Sequence, residues 1–137
     1  MNIEEAIQSA FDSYYAGEIK RAEQLCREIL NTQSDNIDIL HLLGIITAQL
    51  GDYDFAEQCI KKALQHDPEN ADLYFCLGNI LDERGDLDDA KECYHKALKF
   101  NQNDYRVYNN LGLLLQRTGL SIARMLGKID TGNPLSL

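Results

Sequence analysis

The chain has 137 residues, 45% of them hydrophobic and 26% charged, and its 22 acidic against 13 basic side chains give a formal charge of −9. That mixture supplies one continuous core and excludes a disordered tail. The acidic excess argues against nucleic acid, whose phosphates need a basic face, and against an anionic membrane surface, while basic or apolar partners fit.

The first twenty residues contain Glu4, Glu5, Asp12 and Glu18 without an uninterrupted apolar run, so no secretory signal is read and a cytoplasmic location is expected. Apolar runs such as Leu42 to Ile46 fall far short of a membrane span.

Glycine sets the organisation. Gly17, Gly51, Gly85 and Gly119 recur every 34 residues, and Ala22, Ala56 and Ala90 follow the first three at a fixed distance. A period in this range marks stacked copies of one supersecondary unit. In chain order, the first unit (3–36) reads as helices near 3–16 and 18–31, with Ser9-Ala10 where later units have Leu-Gly. The second unit (37–70) opens with Leu40, Leu43, Ile46, Thr47 and Leu50 at spacings of three and four, a helix over 37–50. Gly51 ends it, Asp52 or its neighbour caps the next, and Asp54 and Glu57 sit near that helix's positive end. The following helix, 53–66, carries the stripe Phe55, Ala56, Cys59, Ile60, Ala63 and Leu64, and Pro68 closes the unit. The third unit (71–104) repeats the plan with helices near 71–84 and 87–100. From Leu77 it matches the stretch from Leu43 at 11 of 22 positions. The fourth keeps one helix, 105–118, before the pattern fails.

Gly44, Gly78 and Gly112 fall inside helices, where glycine costs about 1 kcal/mol relative to alanine. Close approach of the paired helix accounts for that cost, with Ala56 and Ala90 expected opposite. Gly119 is followed by Leu120 rather than by an acid, and Ile122, Met125, Leu126 and Ile129 recur at helical spacing, so an eighth helix is expected within 120–130, ending before Gly132-Asn133-Pro134. Two arrangements fit. In the one placed first, the chain turns at Gly119 and the helix folds back over Leu111 and Leu115. In the other, it runs straight on through Leu111, Leu115, Thr118, Ile122, Met125 and Ile129, leaving an apolar stripe for a second chain.

Taken together, Leu43-Gly44, Gly51, Ala56, Ile60, Ala63 and Pro68, with their counterparts Tyr74, Leu77, Gly78, Ala90, Tyr94 and Ala97, resemble the tetratricopeptide repeat pattern. The resemblance covers residues 3–119 and weakens in the fourth unit, where Arg124 stands for the alanine. It implies an all-α fold, a right-handed α-solenoid of helix-turn-helix units with about three and a half repeats. Its repeats span 3–36, 37–70, 71–104 and, in part, 105–119. Residues 1–119 form the array, and 120–137 a divergent C-terminal helix and tail.

No chemistry emerges from the repeated residues. Equivalent helices of adjacent units pack about 8–10 Å apart, too far for a Cys59–Cys93 disulfide. His95 points about 200° around the helix from Cys93, so the two do not form a metal site. Counting from Asp52 or Asp86, neither the glycine nor the final Glu of a calcium loop is in place. No nucleophile, zinc-protease, phosphate-loop or dinucleotide motif occurs. No catalytic residue, metal or cofactor is assigned, and the protein is not read as an enzyme.

In a solenoid of this family the outer face of each first helix lines a concave groove. At 100° per residue that face contains Glu4, Ile7, Phe11 and Tyr14, then Asp38, His41, Ile45 and Ala48, then Asp72, Phe75, Asn79 and Asp82, then Arg106, Asn109, Leu113 and Gln116. The expected partner-binding residues are Ile7, Phe11, Tyr14, His41, Ile45, Phe75, Asn79, Asn109 and Leu113. Stacked units make their apolar members contiguous, and contiguous apolar patches mark interaction sites. The expected partner is a protein or peptide, an amphipathic segment with apolar anchors and basic flanks. Members that clamp a C-terminal carboxylate do so with Lys, Asn and Arg, whereas Ile7, Phe11, His41 and Ile45 stand here, so that clamp is not expected. Asn79, Asn109 and Asn110 resemble the asparagine-lined arrays that precede O-linked sugar transferase domains. Two functions follow: a protein-interaction scaffold or, alternatively, the substrate-recruiting part of a larger enzyme such as a glycosyltransferase. Self-association through 117–137 is a further expectation, with Arg117, Arg124 and Lys128 suited to the groove's acidic edge.

Overall fold

The computed structural model describes residues 1–127 of the chain. Among them are seven helices: α1 (Ile3–Tyr15), α2 (Ile19–Thr32), α3 (Ile37–Gln49), α4 (Tyr53–His66), α5 (Ala71–Arg84), α6 (Leu87–Phe100) and α7 (Tyr105–Met125). Each odd helix pairs with the even helix that follows, and each even helix packs on the next odd one. The result is a row of antiparallel pairs, the expected all-α solenoid.

Local signals set the ends of these helices. Asn2, Asn36 and Asn70 are themselves 34 residues apart, and each accepts a hydrogen bond from the amide three residues on, at 2.9, 3.1 and 3.1 Å. An N-cap of this kind is worth about 1 kcal/mol. At the far ends Gly17, Gly51 and Gly85 take φ of 83°, 88° and 99°, the left-handed region where only glycine escapes a Cβ clash. The next amide then reaches back to the carbonyl five residues earlier, as in Asp86 to Leu81 at 2.8 Å, which closes the helix end. Of the acids after these glycines, only Asp52 caps its helix, accepting from the Phe55 amide at 3.2 Å. Asp86 instead accepts from Arg84 Nε at 2.6 Å.

Arg84 also donates to Asp54 at 2.8 Å and Glu57 at 2.9 Å, tying the end of α5 to the start of α4. The core runs as two clusters in series. One joins α1, α2 and α3 around Ile29, Ile39, Leu43 and Ile46. The other runs from Leu40 through α4, α5 and α6 to Val107, Leu111 and Leu114 of α7.

The internal glycines behave as close-approach sites in two units of three. A Cβ on Gly44 would lie 2.6 Å from Ile60 Cδ1, and one on Gly78 would lie 2.6 Å from Tyr94 Cε1. The filling side chains are therefore large ones, one turn beyond the alanines expected there. Ala56 contributes only its carbonyl oxygen, at 3.5 Å. At Gly112 a Cβ would meet nothing within 4 Å.

That difference has a cause in α7, where the folded-back arrangement is overturned. The helix continues through Gly119 to Met125, and Gly119 is not left-handed; the closing glycine is Gly127, at φ 64°. Gly119 is followed by Leu120 rather than an acid, so no cap competes with continuation, and one glycine costs a helix only about 1 kcal/mol. The fourth odd helix thus has no even partner among the described residues. The part of the expected eighth helix beyond residue 127, with Lys128 and Ile129, lies outside the described residues.

Candidate functional site

Polar contacts join α1 to α3 and α5 to α7. Gln49 of α3 donates to the Tyr14 hydroxyl of α1 at 2.9 Å. Arg106 of α7 meets Asp72 of α5 at 3.0 Å, and Arg117 meets Asp82 at 2.7 Å. Asn110 Nδ2 donates to Asn79 Oδ1 at 2.8 Å. They set α1 beside α3 and α5 beside α7, while α3 meets α5 through apolar packing that includes Ile45 and Ala48.

Two adjoining cavities lie along the odd helices. A smaller one of about 160 Å3 is lined by Ile45, Ala48, Gln49, Cys76, Asn79, Ile80 and Glu83. A larger one of about 510 Å3 is lined by Asn79, Asp82, Glu83, Asn110, Leu113, Gln116 and Arg117. Asn79 and Glu83 belong to both, so the two form one groove from α3 across α5 to α7. A third cavity, of about 580 Å3, lies on the outward side of the first pair between Ile3, Ala6, Leu25 and Ile29. That is the side of a pair which, in later units, the preceding even helix covers, so stacking accounts for its apolar floor.

Asn79 is the centre of the groove. Its Oδ1 accepts from both the Tyr94 hydroxyl, at 2.7 Å, and Asn110, at 2.8 Å. Its own NH2 makes no hydrogen bond among the described residues, and it is a donor at the junction of the two cavities. Tyr94 is fully buried and its phenol is pushed above the ordinary range by burial, so it stays a neutral donor. Leu113, 51% exposed, supplies an apolar wall.

The structure brings Ile45, Asn79 and Leu113 together. Ile7, Phe11 and Tyr14 are half-buried against the first core cluster and connect to the groove through Tyr14 and Gln49. Phe75 packs beside Tyr94, ring centroids 6.3 Å apart, and lies under the Arg106 guanidinium, 4.6 Å from its ring centroid. Asn109 is exposed and lines neither cavity; its neighbour Asn110 makes the inter-helix contact. Gln49, Glu83, Asn110 and Arg117 were not among the expected site residues. Each stands one residue beyond an expected face position, namely Ala48, Asp82, Asn109 and Gln116, and Gln49, Glu83 and Arg117 are themselves 34 residues apart, so the shift holds and the chosen face was too narrow. Widening the face by one residue, about 100° of helical turn, reaches them.

The acidic edge is only partly available. Arg106 and Arg117 neutralise Asp72 and Asp82, while Glu83, Asp38 and Glu4 make no ion pair among the described residues. His41, half-buried on α3, has its pKa lowered, chiefly by burial, with Asp72 and Asp38 pulling against it. The folded chain therefore holds His41 neutral more strongly than the unfolded chain does. Its stabilising effect is complete above the unfolded pKa and is lost as pH falls below it. Thermal unfolding followed from pH 7 to about pH 5 is expected to show a falling midpoint, and His41→Gln to flatten that fall.

Cys26, Cys59, Cys76 and Cys93 are all free and buried. Burial pushes the thiols up to about 12, 11, 12 and 11 respectively, so they pack as small apolar groups.

Three family models match the chain. Two described as tetratricopeptide repeat cover residues 37–70 and 59–92, and one described as TPR repeat covers 78–119. Among solved structures, an O-GlcNAc transferase mutant from Thermobaculum terrenum is 27% identical, with a TM-score of 0.78 over 82% of this chain and 22% of that one. The chain thus spans about a fifth of the transferase's length. A MamA fragment from Desulfovibrio magneticus RS-1 is 19% identical, with a TM-score of 0.81 over 86% of this chain and 67% of its own. The first TPR of Spaghetti (RPAP3), bound to the HSP90 peptide SRMEEVD, is 16% identical, with a TM-score of 0.80 over 87% of this chain and 97% of its own. No curated protein sequence matches the chain. No helix among the described residues is long and apolar enough to cross a membrane.

Proposed function

The chain belongs to the tetratricopeptide-repeat family, and we propose that it is a non-catalytic protein-interaction scaffold whose groove holds a segment of another protein. The observation that carries this reading is the continuous groove from Ile45 to Leu113, with the Asn79–Asn110 pair at its centre. It offers apolar walls beside groups that hydrogen-bond a backbone, the combination an amphipathic segment requires. Glu83, Asp38 and Glu4 favour basic flanks on that segment. The RPAP3 array is a peptide-bound example of the same fold.

The test is fluorescence anisotropy with two labelled amphipathic peptides, identical in apolar positions but flanked by lysines or by glutamates. The basic peptide is expected to bind at least several-fold more tightly. Glu83→Lys should erase most of that preference, and Leu113→Ser should weaken both peptides, with the helical circular dichroism unchanged because both residues are exposed. Equal binding by both variants and the parent protein would remove the groove as the site. Phe11→Ala and Ile45→Ala are poorer probes, since both side chains are half-buried on the core and truncation also costs stability.

The likeness to the transferase favours a second reading, in which this array recruits substrates for a larger enzyme. Any transfer chemistry would then belong to another domain, and a reading frame continuing into a Rossmann-like domain would support it. We also propose self-association through 117–137, for which the exposed Met125 and Leu126 of α7 are the motive.

A further inference from the structure

Three positions of each odd helix face the even helix of the same unit. In α3 they are Leu40, Gly44 and Thr47, and in α5 they are Tyr74, Gly78 and Leu81. There they are covered. Leu40, Thr47 and Leu81 are buried, Tyr74 stacks on Phe100 with ring centroids 5.7 Å apart, and Ile60 and Tyr94 fill the glycine sites. In α7 the same positions are Tyr108, Gly112 and Leu115, and they are bare. Tyr108 is 51% and Leu115 44% exposed, and space opens above Gly112. The bare stripe continues past Gly119, equally open, to Leu126, which is 61% exposed.

We propose that a second copy of this chain supplies the missing helix, its α7 lying antiparallel on this one about a twofold axis between residues 115 and 116. The inference rests on the self-association reading and gives it a surface and a geometry. A twofold interface must be complementary to itself, and this register is. It sets Gly112 opposite Gly119 of the other copy, where two backbones approach closely. It sets Tyr108 opposite Ala123, and Tyr105 opposite Leu126, a large side chain against a smaller one each time.

Charge agrees. From 105 to 127 the sequence contains no Asp or Glu, and its charged residues are Arg106, Arg117 and Arg124. At 100° per residue all three point about 160–180° away from Leu115. Arg106 and Arg117 are already engaged by Asp72 and Asp82. Two chains of charge −9 therefore meet on a helix face that carries no charge. Antiparallel pairing also sets each helix's positive end beside the other's negative end. The paired stretch is about 30 Å long. It covers on the order of 500–700 Å2 per copy, below the roughly 800 Å2 per partner of a stable interface, so the dimer is expected to dissociate on dilution.

Sedimentation velocity on the full chain, from about 5 to about 500 μM, tests this by mass action. A dimer that dissociates on dilution is expected. Leu115→Glu, which sets two carboxylates at the axis, should raise its Kd at least tenfold without loss of helical signal. Gly112→Ala is the second variant. In the monomer its methyl meets nothing and favours the helix, so it cannot act by unfolding, yet it should weaken the dimer several-fold. Oxidation of Gln116→Cys, beside the axis, should link two copies faster than Tyr105→Cys, which stands far from it. A monomer throughout would overturn both this surface and self-association through 117–137. A dimer that both Leu115→Glu and Gly112→Ala leave unchanged would overturn the α7 seam alone.

Discussion

Tyr94→Ala is expected to lower the stability of the folded chain by about 3–5 kcal/mol, the loss typical of a large aromatic cut from a core. Tyr94 is fully buried on α6, and its ring occupies the space that the missing Cβ of Gly78 leaves on α5. Its hydroxyl donates to Asn79, one residue along. Truncation thus opens a cavity between two helices and leaves Asn79 held only by Asn110. Against a total stability of about 5–15 kcal/mol, such a loss approaches unfolding. Tyr94→Phe keeps the ring and removes one hydrogen bond, so about 0.5–1.5 kcal/mol is expected. Gly78→Ala attacks the same contact from the other side. Overpacking costs about 1–3 kcal/mol, offset by about 1 kcal/mol of helix propensity, and the net sign is destabilising. Urea unfolding measures all three. A loss below about 1 kcal/mol for Tyr94→Ala would mean that the α5–α6 pair does not depend on this contact.

The second expected result is one substitution with opposite signs at equivalent positions. Gly85→Ala should destabilise the chain by about 1–2 kcal/mol, because alanine at φ 99° is strained. Gly119→Ala, 34 residues later, should stabilise it by about 1 kcal/mol, because that glycine lies inside α7 with nothing near its missing Cβ. The difference between the two, about 2–3 kcal/mol, is the sum of a relieved helix penalty and an imposed backbone strain. If both substitutions destabilised alike, the chain would turn at Gly119 and the folded-back arrangement would be restored. Thermal melts of the two variants beside the parent decide it.

Gly119 also shows where sequence reading reaches its limit. Its spacing from Gly17, Gly51 and Gly85 marks it as a turn, while the run Leu111, Leu115, Thr118 marks it as helix interior. Both signals are local and each is worth about 1 kcal/mol, so neither dominates. The groove presents a similar case. Ile45, Asn79 and Leu113 were legible because a side chain's direction follows from its place on a helix. The pairing of Asn79 with Asn110 rather than Asn109, and the covering of Phe75 by Arg106, were not. They depend on the offset between stacked helices and on rotamers, which no one-dimensional period carries.

The repeat length, the helix pairs and the left-handed turns at Gly17, Gly51 and Gly85 were determined by the sequence alone. Each rests on contacts or torsions within a few residues, repeated often enough to be unmistakable. Which large side chain fills which glycine, which acids remain free in the groove, and which face of α7 stays bare were decided only by the tertiary structure. These are contacts between residues 15 to 35 positions apart, such as Tyr94 with Asn79 and Arg117 with Asp82. Their existence depends on helices meeting at a particular axial offset. That offset comes from the packing of all the side chains at once.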